Sequence, residues 1–242
     1  MPDEIHLVPV WLAEPFVLLR EFIQEALDLT LVTIGGIETM AVLPFLLDDA
    51  EASAGIAEDG FDRAYLSALS SVLPLAQRER DSDYRLTRGH AVITLWAALE
   101  TWRDDLVVTW LLRVQPELLG EETDVEPDDL ETAARVRLRN WNRELRANGV
   151  EVFEHIFAKV GLDGNVPDET AEALLEMRQI RHVYAHGGGR ADATFLERCP
   201  CFEVAPGELV PVSDSQFTRY VRASRAYTDL VMCRAIASLG IQ

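Results

Sequence analysis

Apolar residues recur at three- and four-residue intervals over most of the 242-residue chain, and no series of alternating apolar and polar runs marks a set of strands. The pattern predicts an almost all-helical protein. Phe16, Leu19, Phe22, Ile23, Ala26 and Leu27 lie at helical spacing, with Arg20, Glu21, Glu25 and Asp28 between them. That first apolar region spans 15–50. Gly35-Gly36 is expected to break it, leaving a second apolar segment over 37–47 and an acidic, small-residue loop over 48–60. A shorter helix over 61–77 meets Pro74, a place for a break or kink. The stretch 77–88, QRERDSDYRLTR, is polar and almost free of aliphatic residues, so it reads as a linker. It divides the chain into an N-terminal helical extension, 1–88, which would pack on a helical domain spanning 89–242.

The second part opens with the longest strongly apolar helix, 90–112, where Val92, Leu95, Trp96, Leu99, Leu106, Val107 and Trp110 make a wide stripe. An acidic loop is expected over 120–129, then an arginine-rich helix over 130–147 that stops at Asn148-Gly149. A short amphipathic helix follows over 150–160. The next starts at Pro167 or Asp168, with Glu169 and Glu172 in its first turn, and runs to Ala185 or His186, where Gly187-Gly188-Gly189 stops it. Pro206-Gly207 suggests a small β-hairpin over 202–212. Ser213 or Asp214 then caps a last helix over 216–239.

Charge narrows the possible partners. The chain carries 22 basic and 41 acidic residues, a net charge of −19, spread as −10 over residues 1–88 and −9 over 89–242. A broad basic surface for nucleic acid is thereby excluded, and DNA binding is not expected. All the basic residues but Lys159 are arginine. Arginine suits localised contacts to carboxylate or phosphate, although codon bias explains the preference as well. Three cysteines, Cys199, Cys201 and Cys233, fit structural thiols in a reducing compartment. The first residues carry Asp3 and Glu4 and no basic stretch, and the charge-free run 29–37 is too short for a membrane span. The expectation is a cytoplasmic protein with no membrane contact.

The chemistry concentrates in 176–201, EMRQIRHVYAHGGGRADATFLERCPC. Arg181 is followed by four residues and then His186, at a helix end just before three glycines. Five residues turn a regular helix through about 500°, which leaves the two side chains about 140° apart, so they converge if the helix ends or loosens near His186. A helix C-terminus carries partial negative charge and attracts cations. An imidazole can take and give a proton, and a fixed guanidinium can stabilise a phosphorane-like dianion. Together they can cleave RNA without a metal, because the attacking 2′-hydroxyl belongs to the substrate.

This segment resembles the HEPN superfamily, whose hallmark is Arg, four to six residues, then His, often with a polar residue after the Arg. Here the motif reads Arg181, polar His182, Val183, Tyr184, Ala185, His186. An apolar helix with an acidic residue precedes it. A Gly-Arg-x-Asp tail with Phe195-Leu196, a short polar hairpin and a long last helix follow. The resemblance covers about 89–242 and leaves the first 88 residues unexplained. It implies an up-and-down helical bundle that dimerises with the two motifs facing each other in one composite site. It also implies a metal-independent endoribonuclease of a toxin–antitoxin, abortive-infection or other antiviral defence system, with an antitoxin or other protein as a possible partner. Arg181 would contact the scissile phosphate, His186 would be the acid/base group, and His182 would orient the substrate or the other two. The alternative is a non-catalytic HEPN-like module that binds a protein or nucleotide through the same groove or the acidic N-terminal region. A third reading pairs Arg181 with a buried carboxylate and leaves His186 as a helix cap.

Glu100 is the fourth candidate, because it falls inside the apolar stripe of 90–112, between Val107 and Ile93 on the helical wheel. An acid there needs a partner. It is expected to meet Arg181 or His186, or else to form an interhelical ion pair with no catalytic part. Asp104 lies nearer the polar edge. Arg178 and His182, four residues apart, read as a surface pair or else an added part of the site, Arg190 and Asp192 as a turn contact, unless Arg190 holds a phosphate, and Tyr184 as core or dimer interface. Arg135, Arg139, Arg143 and Arg146 form one stripe, either an RNA-backbone track or, as the overall charge favours, a solvated face paired with Glu131 and Glu144. No metal or cofactor site is expected. His6, His90 and His155 are scattered, the three glycines lack the Gly-Lys-Ser/Thr of a phosphate loop, and no Gly-x-Ser-x-Gly elbow occurs.

Overall fold

The computed structural model describes residues 8–53, 60–119, 130–143 and 148–241, and among these the regular elements are helices. In chain order they are α1 (Val10–Ser53), α2 (Gly60–Asp81), α3 (Arg85–Arg113), a 3-10 turn (Pro116–Leu119), α4 (Leu130–Arg143), α5 (Glu151–Ala158), α6 (Asp168–Gly187), α7 (Ala193–Arg198) and α8 (Asp214–Ser238). The all-helical expectation holds, and the helices form a bundle. The expected loop over 120–129 and the end of the arginine-rich helix, 144–147, lie outside the described residues, as do residues 54–59 of the loop expected over 48–60, whose first residues, 48–53, belong to α1 and whose last, Gly60, opens α2.

α3 is the central helix. It packs against α1, α2, α4, α5, α6 and α8. Leu95, Trp96, Leu99, Leu106, Val107 and Trp110 along it are fully enclosed. Trp96 packs on Phe153 of α5 with ring centroids 5.0 Å apart, and Trp102 stands edge-on to Phe16 of α1, Phe157 of α5 and Tyr227 of α8. These offset and edge-to-face contacts are the favoured geometry of aromatic pairs. Leu12, Phe16, Leu19 and Ile23 of α1 belong to the same core as α3 and α8.

Three local expectations are corrected. α1 runs unbroken through Gly35 and Gly36, neither of which has another atom near the place of a Cβ. Two glycines cost a helix roughly 2 kcal/mol, which the burial of Leu12, Phe16, Leu19, Ile23 and Ala41 elsewhere along α1 offsets. The polar stretch 77–88 is not a linker but the end of α2, a three-residue turn and the start of α3. Its polar residues are bonded to each other. Buried Glu79 accepts from the Thr87 N–H and hydroxyl, both at 2.9 Å, and buried Arg88 donates to Asp83 Oδ2 at 2.8 Å. Finally, 202–212 forms no strands. Gly207 N donates to Ala191 O, Ala191 N to Glu208 O and Val210 N to Gly189 O, each at 2.8 Å, with one isolated bridge between Arg190 and Leu209. Pro206 and Pro211 lack the N–H groups a hairpin ladder needs, so the segment pairs instead with the residues after α6.

Those pairings hold the end of α6 in place. Gly188 takes the left-handed conformation (φ 60°) that closes the helix, and Ser213 begins α8 with a full capping box to Gln216. Tyr184, on the inner face of α6, fits the space that Gly89 leaves in α3. A Cβ at position 89 would lie 2.1 Å from the Tyr184 ring, whose hydroxyl is 2.7 Å from the Val210 carbonyl oxygen and 3.2 Å from that of Arg85. Gly89→Ala is therefore expected to push this ring out of its place. The cost, about 2 kcal/mol or more, should appear as a fall in Tm of roughly 4–8 °C in a thermal melt.

Candidate functional site

The inner face of α6 is set by Ala173, Met177, Ile180, Val183 and Tyr184, all buried. On a helical wheel Arg178, His182 and His186 lie on the opposite side and Arg181 on its flank, about 40° from Met177, so packing of the first set fixes the direction of the second. Arg181 is half-buried, and His182 and His186 are exposed. Arg181 Nη1 lies 3.4 Å from His186 Nε2, and the His182 and His186 rings are 5.1 Å apart. The structure thus brings three of the four candidate residues into one cluster. The helix does not loosen to do so, because α6 stays helical through Gly187. The reach of the arginine side chain spans the gap instead. A guanidinium only donates, so this contact favours a ring whose Nε2 is unprotonated.

Glu100 stands apart from that cluster. Among the described residues it makes no hydrogen bond or ion pair with Arg181 or His186. Its charge acts on Arg178 and on Asp104. Burial lowers the Arg178 pKa, Glu100 raises it, and Arg198 and Arg181 lower it again, so three guanidiniums share this end of the bundle. Asp104 is held by Arg103, with Nε to Oδ1 at 2.7 Å, yet burial still leaves its carboxyl above the usual aspartate range.

Arg178 is not a surface partner of His182. It donates to Asn148 Oδ1 at 3.0 Å, and Arg198 at the end of α7 donates to the same oxygen at 2.9 Å. Arg190 donates to the Gly207 carbonyl at 2.8 Å rather than to Asp192, which instead caps α7 by accepting from Phe195 N at 2.7 Å. Tyr184 is core. In the arginine-rich helix, Arg135 pairs with Glu131 at 2.9 Å and with Asp105 at 3.5 Å, and Arg137 lies over the Trp141 ring. Of the stripe, Arg135 is thus paired with Glu131 as the charge balance favours, while Glu144 and Arg146 lie outside the described residues.

Two contributors were missed. Asn148 and Arg198 come to α6 from 30 and 20 residues away, with no local pattern to mark them. Glu176 was missed as well, although a local signal for it was present. On the wheel it falls between Ile180 and Val183, inside the apolar stripe of α6, as Glu100 does in α3. It is 3% exposed and accepts from Tyr220 at 2.9 Å, from the Cys201 thiol at 3.4 Å and from Arg219. These bonds tie α6 to α8 and to the loop after α7, one helical turn and a half before Arg181. Glu176→Ala is expected to leave Arg219 and the Tyr220 hydroxyl without their acceptor. A loss of about 3 kcal/mol, or roughly 6–12 °C in Tm, should follow, with less loss in Glu176→Gln.

Among the described residues no helix is long and apolar enough to cross a membrane, and no three His, Cys, Asp or Glu side chains converge as a metal site requires. The three cysteines are free thiols, with Cys199 buried. Burial and the Glu176 charge hold the Cys199 and Cys201 thiols above their ordinary pKa, which suits inert structural cysteines. The chain matches no protein-family model, no curated protein and no solved structure.

Proposed function

We propose that the protein is a HEPN-like, metal-independent endoribonuclease, acting as a prokaryotic defence or toxin-type component through a dimeric Arg/His site. The observation that carries this reading is the cluster on the outer face of α6, where Arg181 Nη1 lies 3.4 Å from His186 Nε2 with His182 beside them. Arg178 and Arg198 extend it. The result is a local concentration of cationic side chains on a chain whose net charge is −19. A phosphodiester is drawn to such a patch, while the acidic remainder of the surface repels RNA.

In this reading the 2′-oxygen of the substrate attacks the adjacent phosphorus. The unprotonated nitrogen of His186 takes the 2′-hydroxyl proton. Arg181 holds the non-bridging oxygens as charge builds on them. The bond from phosphorus to the 5′-oxygen breaks, and that oxygen leaves with a proton supplied by an imidazolium, for which the facing His186 of a second copy is the natural source. His182 orients the substrate or the other two side chains. The products are a 2′,3′-cyclic phosphate and a 5′-hydroxyl.

The test is incubation of the full chain with a mixed RNA pool in EDTA. The expected result is cleavage that leaves 2′,3′-cyclic phosphate ends. An intact pool with folded, dimeric protein would favour the second reading, a non-catalytic module that binds a protein or nucleotide at the same groove. Arg181 being half-buried and in contact with His186 rather than open to solvent is the observation on that side.

A further inference from the structure

Away from the α6 cluster, two grooves of about 570 and 840 Å³ lie along the seam between α1 and α3. One joins the later part of α1, from Ala26 to Met40, to the start of α3, from Leu86 to Thr94, with Val72, Leu75, Ala76 and Glu79 of α2 as a third wall. The other joins the earlier part, from Trp11 to Phe22, to the end of α3, from Ala97 to Arg113, with Glu131 and Arg135 of α4 at its side. The two helices are therefore antiparallel, and the two grooves share one helix face. At about 100° per residue, Leu18, Phe22, Leu29, Gly36 and Met40 fall within about 40° of one another on α1. Thr94, Ala98, Thr101 and Leu112 fall within about 60° on α3 by the same count. The two grooves thus follow one another along one face of α1, and together they form a trough walled at one end by α2 and at the other by α4. Its α1 wall, from Trp11 to Met40, is roughly 43 Å long at about 1.5 Å per residue.

The floor of this trough is apolar and open. Leu18 is 57% exposed, Phe22 42% and Leu29 67%. Around α1 the buried stripe of Leu12, Phe16, Leu19 and Ile23 lies on one side of the trough. Glu14, Glu21, Glu25 and Asp28, all exposed, lie on the other, within about 60° of each other. Along α1 no basic residue offsets them; Arg113 and Arg135 lie across the second groove, where Arg135 is already paired with Glu131 and Asp105. Arg20, the basic residue of α1 in this stretch, points away and pairs with Asp229 of α8 at 2.5 Å. The trough is thus an apolar channel edged by a row of four carboxylates.

We propose that this trough is a docking site for an amphipathic helix of a partner protein, with an apolar stripe to fill the channel and Lys or Arg along the edge that meets the carboxylates. Helix-in-groove recognition reads the partner through side chains at i, i+3, i+4 and i+7, and Leu18, Phe22 and Leu29 recur at i, i+4 and i+11 along one face of α1 to receive them. The charge chooses the occupant. A second copy seated in the same trough would bring its own four carboxylates to an interface between two chains of net charge −19, whereas a cationic edge is complementary. The inference stands independently of any reading of Arg181 and His186.

The test is fluorescence anisotropy of the full chain with two labelled 24-residue helical peptides. Both carry leucines at i, i+3, i+4 and i+7; one has lysines along the flanking edge and the other glutamates. The lysine-edged peptide is expected to bind saturably and at least tenfold more tightly than the glutamate-edged one. Leu18→Asp/Leu29→Asp and Glu21→Lys/Glu25→Lys should each weaken it at least tenfold. These side chains are exposed, so both variants should melt like the parent chain. Equal affinity for the two peptides, binding unaffected by either pair of substitutions, or no saturable binding would overturn the proposal. A dimer of the parent chain in sedimentation that Leu18→Asp/Leu29→Asp dissociates would also overturn it, by giving the trough to a second copy.

Discussion

Raising the pH from 9 towards 12 is expected to destabilise the protein steeply, after a broad range below pH 9 in which these groups contribute no pH dependence. The cause is a set of buried groups that are neutral when protonated. Burial pushes the Tyr184 hydroxyl from 10.0 to about 12. Burial, aided by the Glu176 charge, pushes the Cys199 thiol from 9.0 to about 12. Tyr220, beside Glu176, and Tyr227, beside Glu154, are raised further for the same two reasons. In each case the folded state holds its proton more tightly than the unfolded chain. The stabilisation is complete below the unfolded pKa, near 9 for the thiol and 10 for the phenols. It is lost as the pH rises through that value towards the folded one. A rise of this size on one buried phenol corresponds to about 2–3 kcal/mol once the unfolded chain ionises, a large part of a typical domain's stability. Melts at successive pH values, with phenolate absorbance followed alongside, should show Tm falling between pH 9 and 12 and tyrosines ionising together with unfolding. A Tm unchanged to pH 12 would mean that these phenols and the thiol titrate freely in the folded state. Tyr220→Phe removes one contributor and should flatten the fall.

The second large effect concerns the α6 cluster. Arg181→Ala is expected to reduce RNA cleavage by about 10²–10³-fold, the usual cost of removing one donor aimed at developing charge. His186→Ala should cost about 10²–10⁴-fold, the range for a proton-transfer group. Arg181→Lys should recover little of the loss, because a compact ammonium does not reproduce the planar fork of a guanidinium. All three variants should melt within about 1–2 °C of the parent, since Arg181 is half-buried, His186 is exposed, and neither is part of the Glu176 network. A fall in cleavage matched by a fall in Tm would assign Arg181 a structural role. Single-turnover rates beside melts separate the two.

How far the sequence spoke for the structure depended on the range of the interaction. Helical periodicity is local, so α3, α6 and α8 were legible, together with the glycine stop after α6 and the Ser213 cap. Gly35-Gly36 misled because local propensity favours a break, whereas long-range burial of Phe16, Leu19 and Ile23 against α3 keeps α1 continuous. The stretch 77–88 misled for the opposite reason. Its polar residues signalled solvent, but Glu79 and Arg88 are buried and bonded inside a tight helix–helix turn. At the candidate site, Arg181, His182 and His186 share one helix, so the motif marked them together, but their spacing alone set Arg181 and His186 about 140° apart, and the reach of the arginine side chain that closes this gap is not written in the spacing. Glu100 depends on how α3 sits against α6, and the wheel fixed its direction without its partner. Asn148 and Arg198 converge on Arg178 from separate elements, which no single-helix pattern reveals.

The central claim is that the substrate's own 2′-hydroxyl is the nucleophile at the Arg181/His186 cluster. The most direct test is a pair of RNA oligonucleotides that share one mapped cleavage site, identical except that the second lacks the 2′-hydroxyl at that nucleotide. Both are incubated with the full chain in EDTA. The account predicts that the first is cut to a 2′,3′-cyclic phosphate and the second stays intact. Cutting of both at equal rates, or products that carry a 5′-phosphate, would contradict it.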